Sequence, residues 1–560
     1  MQPSSPSAPA EGATQGARAR RRLLPGPASA LRRALVNLRR AGRRVLLRPA
    51  PGHRGGFWLR LRLGRTLGEQ REAGPLRSRG GALGLLEVLQ TLDTAARDPQ
   101  VRGVLVELEG GVGGWSRRQA LRRALAALRD AGKPVVAYAE ALSTGDLYVG
   151  SAASRLWLAP GGSVHATGLR AEAVFLRGLL GRFDVDAEVV RIGSHKTAGE
   201  TFTRTSMSAE QREEMERLLD DLFEDLVSAL AQGRGIAPER VRELIDEGLF
   251  TAPAARAAGL VDATLYPDEL DEAVRQVAAA AAEKPVEAAA YYAWRVADSS
   301  WLPLLREPPH VAYVVARGMI RRGRGLRGIA TETLRALVRR LREDERVRGV
   351  VLRLDTPGGD GLASDLLWRE LSLLAREKPL VVSMGDVAAS GGYYLATAAS
   401  SVLAEAGTLT GSIGVVGGKV NLEGLYERLG VRKDAVERGA RAGLLSEARG
   451  MTPGERAALR AQMEGVYETF VARVAEGRRL APEAVDRVAQ GRVWSGARAR
   501  GLGLVDAIGG PLEAVAEAVR RAGIGAAERV LVDVHPRLPR FAGLRAVAGV
   551  ALVRWLRGGV

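Results

Sequence analysis

Short apolar runs alternate with segments of helical periodicity along the second half of the chain. Residues 347–354 form a mostly apolar run that leads into Asp-Thr-Pro-Gly-Gly, which is typical of a buried strand followed by a tight turn. Residues 363–375 have the spacing of a helix, 378–384 predict the next strand, and 389–399 predict the next helix. Strands that alternate with helices indicate an α/β fold with a largely parallel sheet, whose ligand sites lie at the carboxyl ends of the strands.

The first half of the chain repeats this pattern. Four segments recur at a nearly constant separation of 244 to 246 residues. The matching pairs are 101–108 with 347–354, 133–136 with 378–381, 233–239 with 477–483, and 259–263 with 503–507. A constant offset over such a long stretch indicates the tandem duplication of a whole domain.

The repeat divides the chain into five segments. They are a basic tail (1–56), a first domain (57–276), a linker (277–308), a second domain (309–525) and a carboxyl-terminal extension (526–560). We therefore expect two tandem homologous domains, each built on a largely parallel sheet of its own.

The positive charge of the chain is concentrated in the tail. The 560 residues have a formal net charge of +18, and residues 1–56 hold twelve arginines against one acidic residue, Glu11. The domains are only mildly basic and show no basic stripe, and the tail lacks interleaved aromatic residues. These features disfavour nucleic-acid binding.

The composition also excludes several kinds of site. The chain has no Cys, which rules out disulfides, thiolate metal ligands and a Cys nucleophile. Its five His show no i,i+4 pair, so we expect no metal site and no cofactor. No run of 18 apolar residues predicts a membrane span, and the first 25 residues lack the apolar core of a secretory signal.

The tail contains one segment with amphipathic spacing, residues 30–48. At 100° per residue its apolar and basic side chains fall on opposite faces, although Val36 and Leu47 break the pattern. The apolar face holds Leu31, Leu35, Leu38, Val45 and Leu46, and the basic face holds Arg32, Arg33, Arg39, Arg40, Arg43 and Arg44. Such a helix would lie peripherally on an anionic membrane surface; the alternative is a disordered basic tail without a partner.

Two positions at predicted strand ends are candidates for chemistry. Ser390 lies where a strand passes through a turn of small residues into a helix, which would expose its hydroxyl near the amides of the helix N-terminus. Gly359 follows the preceding strand, where an amide N–H could face a bound carbonyl oxygen. Taken alone, the segment around Ser390 favours a helix N-cap, and the Gly-Gly pair favours an ordinary turn.

Three motifs in the second half then carry a specific resemblance. Residues 354–359 read Leu-Asp-Thr-Pro-Gly-Gly, 386–394 read Asp-Val-Ala-Ala-Ser-Gly-Gly-Tyr-Tyr, and 409–415 read Leu-Thr-Gly-Ser-Ile-Gly-Val. Their order and spacing closely resemble the signal peptide peptidase (SppA, or protease IV) family, and the duplication resembles its long, two-domain members. The resemblance covers about residues 57–525 and implies crotonase- or Clp-like sheets.

The resemblance implies a role for each site residue. Ser390 would be the nucleophile, and Lys196, in Gly193-Ser-His-Lys, would be its general base. Ser412 would hold the lysine amine, and the Gly359 amide would hold the oxyanion, with the amide of Ser390 itself as a second candidate donor. The implied activity is that of a serine endopeptidase that cleaves signal peptides and other short, apolar, unstructured peptides. The implied setting is a homo-oligomeric ring associated with the bacterial cytoplasmic membrane.

The duplication tests this assignment within the chain. An offset of 245 places Gly145 opposite Ser390, and an offset of 246 places Ala442 opposite Lys196. Each copy has therefore kept one half of a Ser–Lys dyad, and one site would be assembled from two domains. His195 is an alternative base, but adjacent side chains point in different directions.

Two other functions remain as alternatives. An acyl-CoA or thioester enzyme on a crotonase-type sheet would share the Gly-Gly turn, but it would need a CoA site and paired carboxylates. A scaffold without catalysis would not need Ser390, Lys196, Ser412 and Gly359 together. The chain also departs from the family in Asp360-Gly-Leu-Ala-Ser364 after the turn and in Glu109-Gly-Gly in the first domain. The resemblance leads us to expect an N-terminal membrane anchor, and no such segment is visible in this sequence.

Overall fold

The computed structural model describes residues 56–64, 67–71, 83–280, 284–296, 307–526 and 528–536, with 31, 33–38, 41 and 42 of the tail. Two sheets dominate this part of the chain, one in each predicted domain. The predicted α/β fold with two largely parallel sheets is confirmed.

The first domain is built on a six-stranded parallel sheet in the order β10-β1-β2-β3-β5-β9. Its strands are β1 (Phe57–Leu63), β2 (Val101–Leu108), β3 (Val135–Ala139), β5 (Arg155–Leu158), β9 (Ala263–Thr264) and β10 (Val286–Glu287). A small separate sheet contains β4 (Leu142–Ser143), β6 (Ser163–His165) and β8 (Leu249–Thr251).

The second domain repeats this arrangement. Its main path has the order β19-β17-β15-β14-β11-β21, and β16 and β20 branch from β15. Its strands are β11 (His310–Arg317), β14 (Val347–Thr356), β15 (Leu380–Ala389), β16 (Ser401–Ala404), β17 (Leu409–Gly411), β19 (Val493–Ser495), β20 (Ala507–Ile508) and β21 (Leu531–His535). Every pair in this sheet is parallel except β17 with β19. A short parallel pair, β12 (Ile320–Arg321) and β13 (Ile329–Ala330), lies beside it.

Helices cover the sheets in both domains. The first domain contains α1 (Leu85–Arg97), α2 (Trp115–Asp130), α3 (Thr144–Gly150), α4 (Arg177–Arg182), α5 (Glu200–Thr203), α6 (Ala209–Arg234), α7 (Pro238–Glu247), α8 (Ala252–Ala257), α9 (Leu270–Ala278) and α10 (Ala288–Tyr291). The second contains α11 (Thr331–Glu343), α12 (Gly361–Glu377), α13 (Gly391–Ala396), α14 (Glu423–Arg428), α15 (Pro453–Arg478), α16 (Pro482–Val488), α17 (Gly496–Gly501) and α18 (Pro511–Arg521).

The central strands are buried on both faces, which is why they read as continuous apolar runs. In β2, Val104 and Val106 join one apolar core while Leu105 joins another on the opposite face. In β14, Leu352 and Val351 divide between two cores in the same way. Successive side chains of a strand point to opposite faces, so a sheet covered by helices on both sides needs apolar residues at every position.

One antiparallel pair of strands joins the two domains. β7 (Asp186–Ile192) of the first domain pairs along its whole length with β18 (Val415–Asn421) of the second, with Ile192 opposite Val415. The chain leaves β7 towards Lys196 and enters β18 from Ser412. Because the strands run in opposite directions, the segment after Ile192 and the segment before Val415 emerge at the same end of the pair.

The sheets extend beyond the predicted domain limits. β10 lies in the predicted linker 277–308, and β21 lies in the predicted extension 526–560, and each adds an edge strand in the equivalent place. Strand β15 was predicted to end near residue 384 but continues to Ala389, and the helix begins after Ser390. Of the predicted tail helix, the described residues are helical, whereas Arg32, Arg39, Arg40, Arg43, Arg44, Val45 and Leu46 lie outside them.

Candidate active site

Ser390 stands at the junction of β15 and α13 in a rare backbone conformation. Its φ is +53°, in the left-handed region that non-glycine residues seldom adopt. It occupies the N-cap position, but its hydroxyl makes no capping hydrogen bond, so the simple cap interpretation is not what the structure holds. Its amide donates to the Gly411 carbonyl at 2.8 Å. That amide is therefore engaged, and the suggestion that it serves as an oxyanion donor is wrong for this conformation.

Lys196 reaches the second domain because a glycine lets two backbones touch. The His195 amide donates to the Gln490 carbonyl at 2.8 Å. Next to it, Gly491 has φ +83°, and a Cβ there would overlap the Lys196 amide nitrogen. Only glycine accommodates both the backbone angle and this close approach. The lysine segment is thus attached to the second domain on one side and continuous with β7 on the other.

The lysine amine contacts three oxygen atoms of the second domain. Lys196 Nζ lies 3.0 Å from Ser390 Oγ, 2.9 Å from Ser412 Oγ and 2.8 Å from the Ser412 carbonyl oxygen. A neutral amine has two N–H donors and one lone pair. Two donors directed to the Ser412 oxygens would leave the lone pair to accept the Ser390 hydroxyl proton. The structure thus brings together Ser390, Lys196 and Ser412, as the sequence predicted.

Burial favours the neutral form of this lysine. Lys196 is only 5% exposed, and burial lowers its pKa from 10.5 to about 8, against a smaller opposing effect of the Glu214 carboxylate. Burial also raises the pKa of Glu214 to about 7. Glu214 lies on α6 and accepts a hydrogen bond from the Val493 amide. This residue was not among those predicted from the sequence.

Gly359 borders the nucleophile from the end of β14. Its φ is +151°, and it forms an isolated parallel bridge with Ile320. A Cβ on Gly391, the residue after the nucleophile, would lie 3.4 Å from the Gly359 amide nitrogen, so these residues meet. Neither amide donates a hydrogen bond within the part of the chain that the structure describes. Two N–H groups beside a serine hydroxyl can bind an oxyanion. Gly391 was not predicted, although the amide after a nucleophile at a helix N-terminus is a recognisable signal.

His195 is buried beside the lysine but faces another group. Its Nδ1 lies 2.8 Å from the Ser194 hydroxyl, and burial lowers its pKa. No hydrogen bond joins its ring to Ser390 among the described residues. The acid after the glycine turn, Asp360, caps α12 by accepting from the Ala363 amide at 2.8 Å.

The equivalent place in the first domain is blocked. Gly145, opposite Ser390 in the repeat, lies in α3, and a Cβ there would lie 2.5 Å from Nε of Arg118. The guanidinium thus occupies the space into which a side chain at this position would extend. Ala442, opposite Lys196, is exposed in an irregular segment.

Comparison with known sequences identifies the family. The profile described as "Peptidase family S49" matches residues 127–283 and 372–525, more than half of the chain. The chain belongs to peptidase family S49. One matched region lies in each domain of this S49 peptidase: the first contains Lys196, and the second contains Ser390 and Ser412.

Named relatives agree with this assignment. "Serine protease SPPA, chloroplastic" of Arabidopsis thaliana is 34% identical over 477 residues, which cover 83% of this chain and 70% of that protein. "Protease 4" of Salmonella typhi is 32% identical over 450 residues, covering 78% and 72%. The resemblance to the signal peptide peptidase, or protease IV, family is therefore confirmed, and the S49 chain is a member of a serine peptidase family.

Solved structures match the S49 chain only weakly. A membrane-bound stomatin-specific protease covers 42% of this chain and 100% of its own, at 12% identity and a TM-score of 0.27. A ClpP1 mutant from Listeria monocytogenes covers 36% and 94%, at 13% identity and a TM-score of 0.25. The fold is therefore assigned from the two sheets described above and not from these similarities.

Within the part of the chain that the structure describes, no group of three or more His, Cys, Asp or Glu side chains could hold a metal ion. Likewise, none of the helices within the described ranges is long and apolar enough to cross a membrane.

Proposed function

We propose that this S49 peptidase is an endopeptidase that uses a Ser390–Lys196 dyad assembled from both domains. The observation that carries the proposal is the 3.0 Å contact between Lys196 Nζ and Ser390 Oγ, with the lysine buried and its pKa lowered to about 8. A serine hydroxyl is a weak nucleophile until a neighbouring base accepts its proton, and a lysine can do this only when it is neutral.

In the proposed reaction, neutral Lys196 accepts the Ser390 proton as Oγ attacks the scissile carbonyl carbon. The Gly359 and Gly391 amides stabilise the oxyanion that forms. Lys196 then donates this proton to the leaving amine, which departs and leaves an acyl-enzyme on Ser390. Lys196 next accepts a proton from an attacking water molecule, and collapse of the second intermediate releases the acid and restores the serine. Throughout, Ser412 holds the amine through its hydroxyl and carbonyl oxygens.

The proposed substrates are signal peptides and other short, apolar, unstructured peptides. Exposed apolar side chains lie close in sequence to the site: Met319 precedes Ile320, which bridges to Gly359, Leu362 is three residues after Gly359, and Phe202, on α5, is six residues after Lys196. An apolar rim favours apolar side chains, and a site between domains admits an extended chain.

The dyad is tested by labelling with a serine-directed fluorophosphonate and by hydrolysis of an apolar reporter peptide. Ser390→Ala and Lys196→Ala should each abolish both signals without loss of the folded state, and their effects should not add, because nucleophile and base act as a unit. His195→Ala is the matched control and should keep most activity. Ordinary activity in either dyad variant contradicts the proposal, and thioester hydrolysis without peptidase activity would favour the acyl-CoA alternative.

We also propose that the protein forms a homo-oligomer. Large apolar side chains are exposed on the module formed by α4, β7, β18, α14 and the segment 429–445, where a second copy could cover them. They are Leu179, Phe183, Val416, Val420, Leu429, Val431, Val436 and Leu445. The double variant Phe183→Asp/Leu429→Asp should lower the mass measured by light scattering, whereas Leu249→Asp, an exposed position elsewhere, should not.

Attachment to the surface of the bacterial cytoplasmic membrane, with the side undetermined, is a further proposal. In the tail helix, Leu31, Leu35 and Leu38 are exposed, while Arg33 and Asn37 are buried, so an apolar face points outwards. Full-length protein should float with anionic liposomes at low salt, and protein lacking residues 1–56 should not. Equal flotation of the two would contradict the proposal.

A further inference from the structure

An arginine of the first domain binds the two strand ends that lead to the proposed oxyanion glycine and nucleophile. Arg117, on α2, lies with Nη2 2.8 Å from Asp355 Oδ2 and 3.2 Å from Asp386 Oδ2. Asp355 stands four residues before Gly359, and Asp386 stands four residues before Ser390. A single guanidinium thus connects the backbone segments 355–359 and 386–390. The relative position of these segments decides whether the Ser390 hydroxyl and the Gly359 amide face the same substrate carbonyl.

Each carboxylate is also tied to backbone near the site. Asp386 Oδ1 accepts from the Ser116 amide at 3.1 Å, which joins it to the same helix as the arginine. Asp355 Oδ1 accepts from the Val387 amide at 3.3 Å, which joins the end of β14 to β15. Movement of either acid would therefore be transmitted to the strand that carries Ser390.

Arg117 is itself fixed by a buried ion pair with Glu69. Arg117 is 6% exposed, and its Nε donates to Glu69 Oε1 at 3.2 Å. Glu69 also binds the completely buried Arg353, at 3.0 and 3.1 Å, and Arg353 lies on β14. Charge-assisted hydrogen bonds in a buried network hold their side chains in a fixed geometry. Removal of one charged side chain leaves the charges of its partners buried and unpaired.

The same helix offers a second interdomain arginine for comparison. Arg123 binds Glu405 at 2.6 and 2.7 Å and Glu513 at 3.0 Å, so it also joins α2 to the second domain. Its partners follow β16 and start α18, and neither is Asp355 or Asp386. An effect on domain docking alone would be shared by both arginines, whereas an effect on the site would belong to Arg117.

We propose that Arg117 is a positioning residue for peptide hydrolysis, through which the first domain sets the spacing between the Gly359 turn and the Ser390 turn. This inference rests on the proposed function, and it gives the first domain a second contribution to the reaction besides the lysine. Arg117 touches neither substrate nor the reacting atoms and acts through the two aspartates.

The test compares Arg117→Met with Arg123→Met in the full chain, with kcat and KM measured on the apolar reporter peptide and stability measured by urea unfolding. A displacement of about 1 Å at reacting groups costs about 100-fold in rate. We expect Arg117→Met to lower kcat by about 10- to 100-fold with little change in KM, and Arg123→Met to keep kcat within about three-fold even where it loses as much stability. Equal kcat values in the two variants would overturn the proposal.

Two further variants distinguish positioning from loss of folding. Arg117→Lys keeps the charge but lacks the planar fork that lets Nε donate to Glu69 while Nη2 reaches both aspartates, so it should lose part of kcat. If Arg117→Met does not fold, undiminished kcat in folded Arg117→Lys overturns the proposal by itself. In Arg117→Met/Asp386→Asn, the side-chain oxygen of the new Asn can still accept from the Ser116 amide, and the repulsion between Asp355 and residue 386 is removed. The kcat of this double variant should therefore be several-fold higher than that of Arg117→Met. No recovery in this folded double variant would also count against the proposal.

Failure of the proposed function would look different. If the native protein were not labelled at Ser390 or hydrolysed no peptide, the dyad itself would be wrong. If the native protein is labelled and active, the comparison of the two arginine variants decides the role of Arg117 alone.

Discussion

The proposed chemistry depends on a single buried lysine, Lys196, and on the groups around its amine. Lys196 has three oxygen atoms around its amine and almost no solvent, and the carboxylate that most influences it, Glu214, belongs to the same domain. Desolvation lowers the lysine pKa and raises that of the carboxyl, so the two groups titrate close together, near 8 and 7.

The activity should therefore rise with pH along a limb near 8, well below the value of about 10.4 for a free lysine. Glu214 is ionised there and favours the ammonium form of Lys196. Glu214→Gln removes this effect, lowers the lysine pKa and should move the limb of kcat/KM to lower pH by up to about 1 unit. Glu216→Gln, at an exposed site on the same helix, is the control. A limb that moves to higher pH, or not at all, would show that Glu214 does not act on the base.

Burial of the lysine also has a cost in stability. The decrease of its pKa from 10.5 to about 8 corresponds to roughly 3 kcal/mol that disfavours the folded state at neutral pH. Lys196→Met should therefore be inactive but more stable than the native protein at pH 7, by less than this amount because hydrogen bonds to Ser412 are lost.

The sign of the pH dependence follows from proton binding. Between pH 8 and 10.5 the unfolded chain holds the lysine proton while the folded protein has released it, so the native protein gains stability as pH rises. The excess free energy of unfolding of Lys196→Met over the native protein should be largest below pH 8 and should decrease between pH 8 and pH 10.5. Urea unfolding at pH 7 and pH 10 measures it, and a difference independent of pH would argue against a depressed lysine pKa.

At the scale of elements, the site depends on backbone contact between segments of different domains. β7 and β18 bring the lysine and Ser412 segments to one end of a strand pair, and Gly491 lets the lysine segment pack against the loop before β19. The two backbones can touch only because Gly491 has no side chain, so no other residue could replace it without separating them.

Gly491→Ala should thus reduce kcat while leaving most of the fold intact. The new methyl group would overlap the Lys196 amide, and the left-handed φ disfavours alanine, so the lysine must move away from Ser390. We expect a decrease in kcat of about 10-fold or more. Gly501→Ala, at a glycine in α17 with no atom near its Cβ position, is the control and should keep normal kcat. Equal kcat in the two variants would mean that this contact does not position the lysine.

The same elements show what the sequence could predict and what it could not. The central strands were predictable because burial on both faces makes them continuously apolar. The family resemblance implied Lys196 and Ser390 as a pair, and the repeat agrees with this because each copy lacks one of them. Glu214 could not be chosen among the many acids of α6, since only packing distinguishes the buried one. Likewise the amide of Ser390 is turned to Gly411 by a backbone angle that no pattern encodes.

At the scale of the molecule, each half has its own sheet, and of the described residues the first domain contributes only Val190, Ile192 and Leu86 to the buried cores of the second. Neither half holds both members of the proposed dyad. Residues 1–308 and 309–560 expressed separately should each be inactive towards the reporter peptide. Where both halves fold, mixing them should restore activity that rises with the concentration of either half, because β7 and β18 must then pair between molecules. Activity in residues 309–560 alone would refute a site shared between domains.

The pairing of β7 with β18 also determines the stage of synthesis and folding at which proteolysis could begin. A ribosome makes Lys196 long before it makes Ser390, and the strand that holds the two together, Val415–Asn421, follows later still. With the proposed dyad, a growing polypeptide has no competent centre during synthesis, and a partly folded one cannot degrade its neighbours. Completion of the second domain and its pairing with the first would act as a built-in delay.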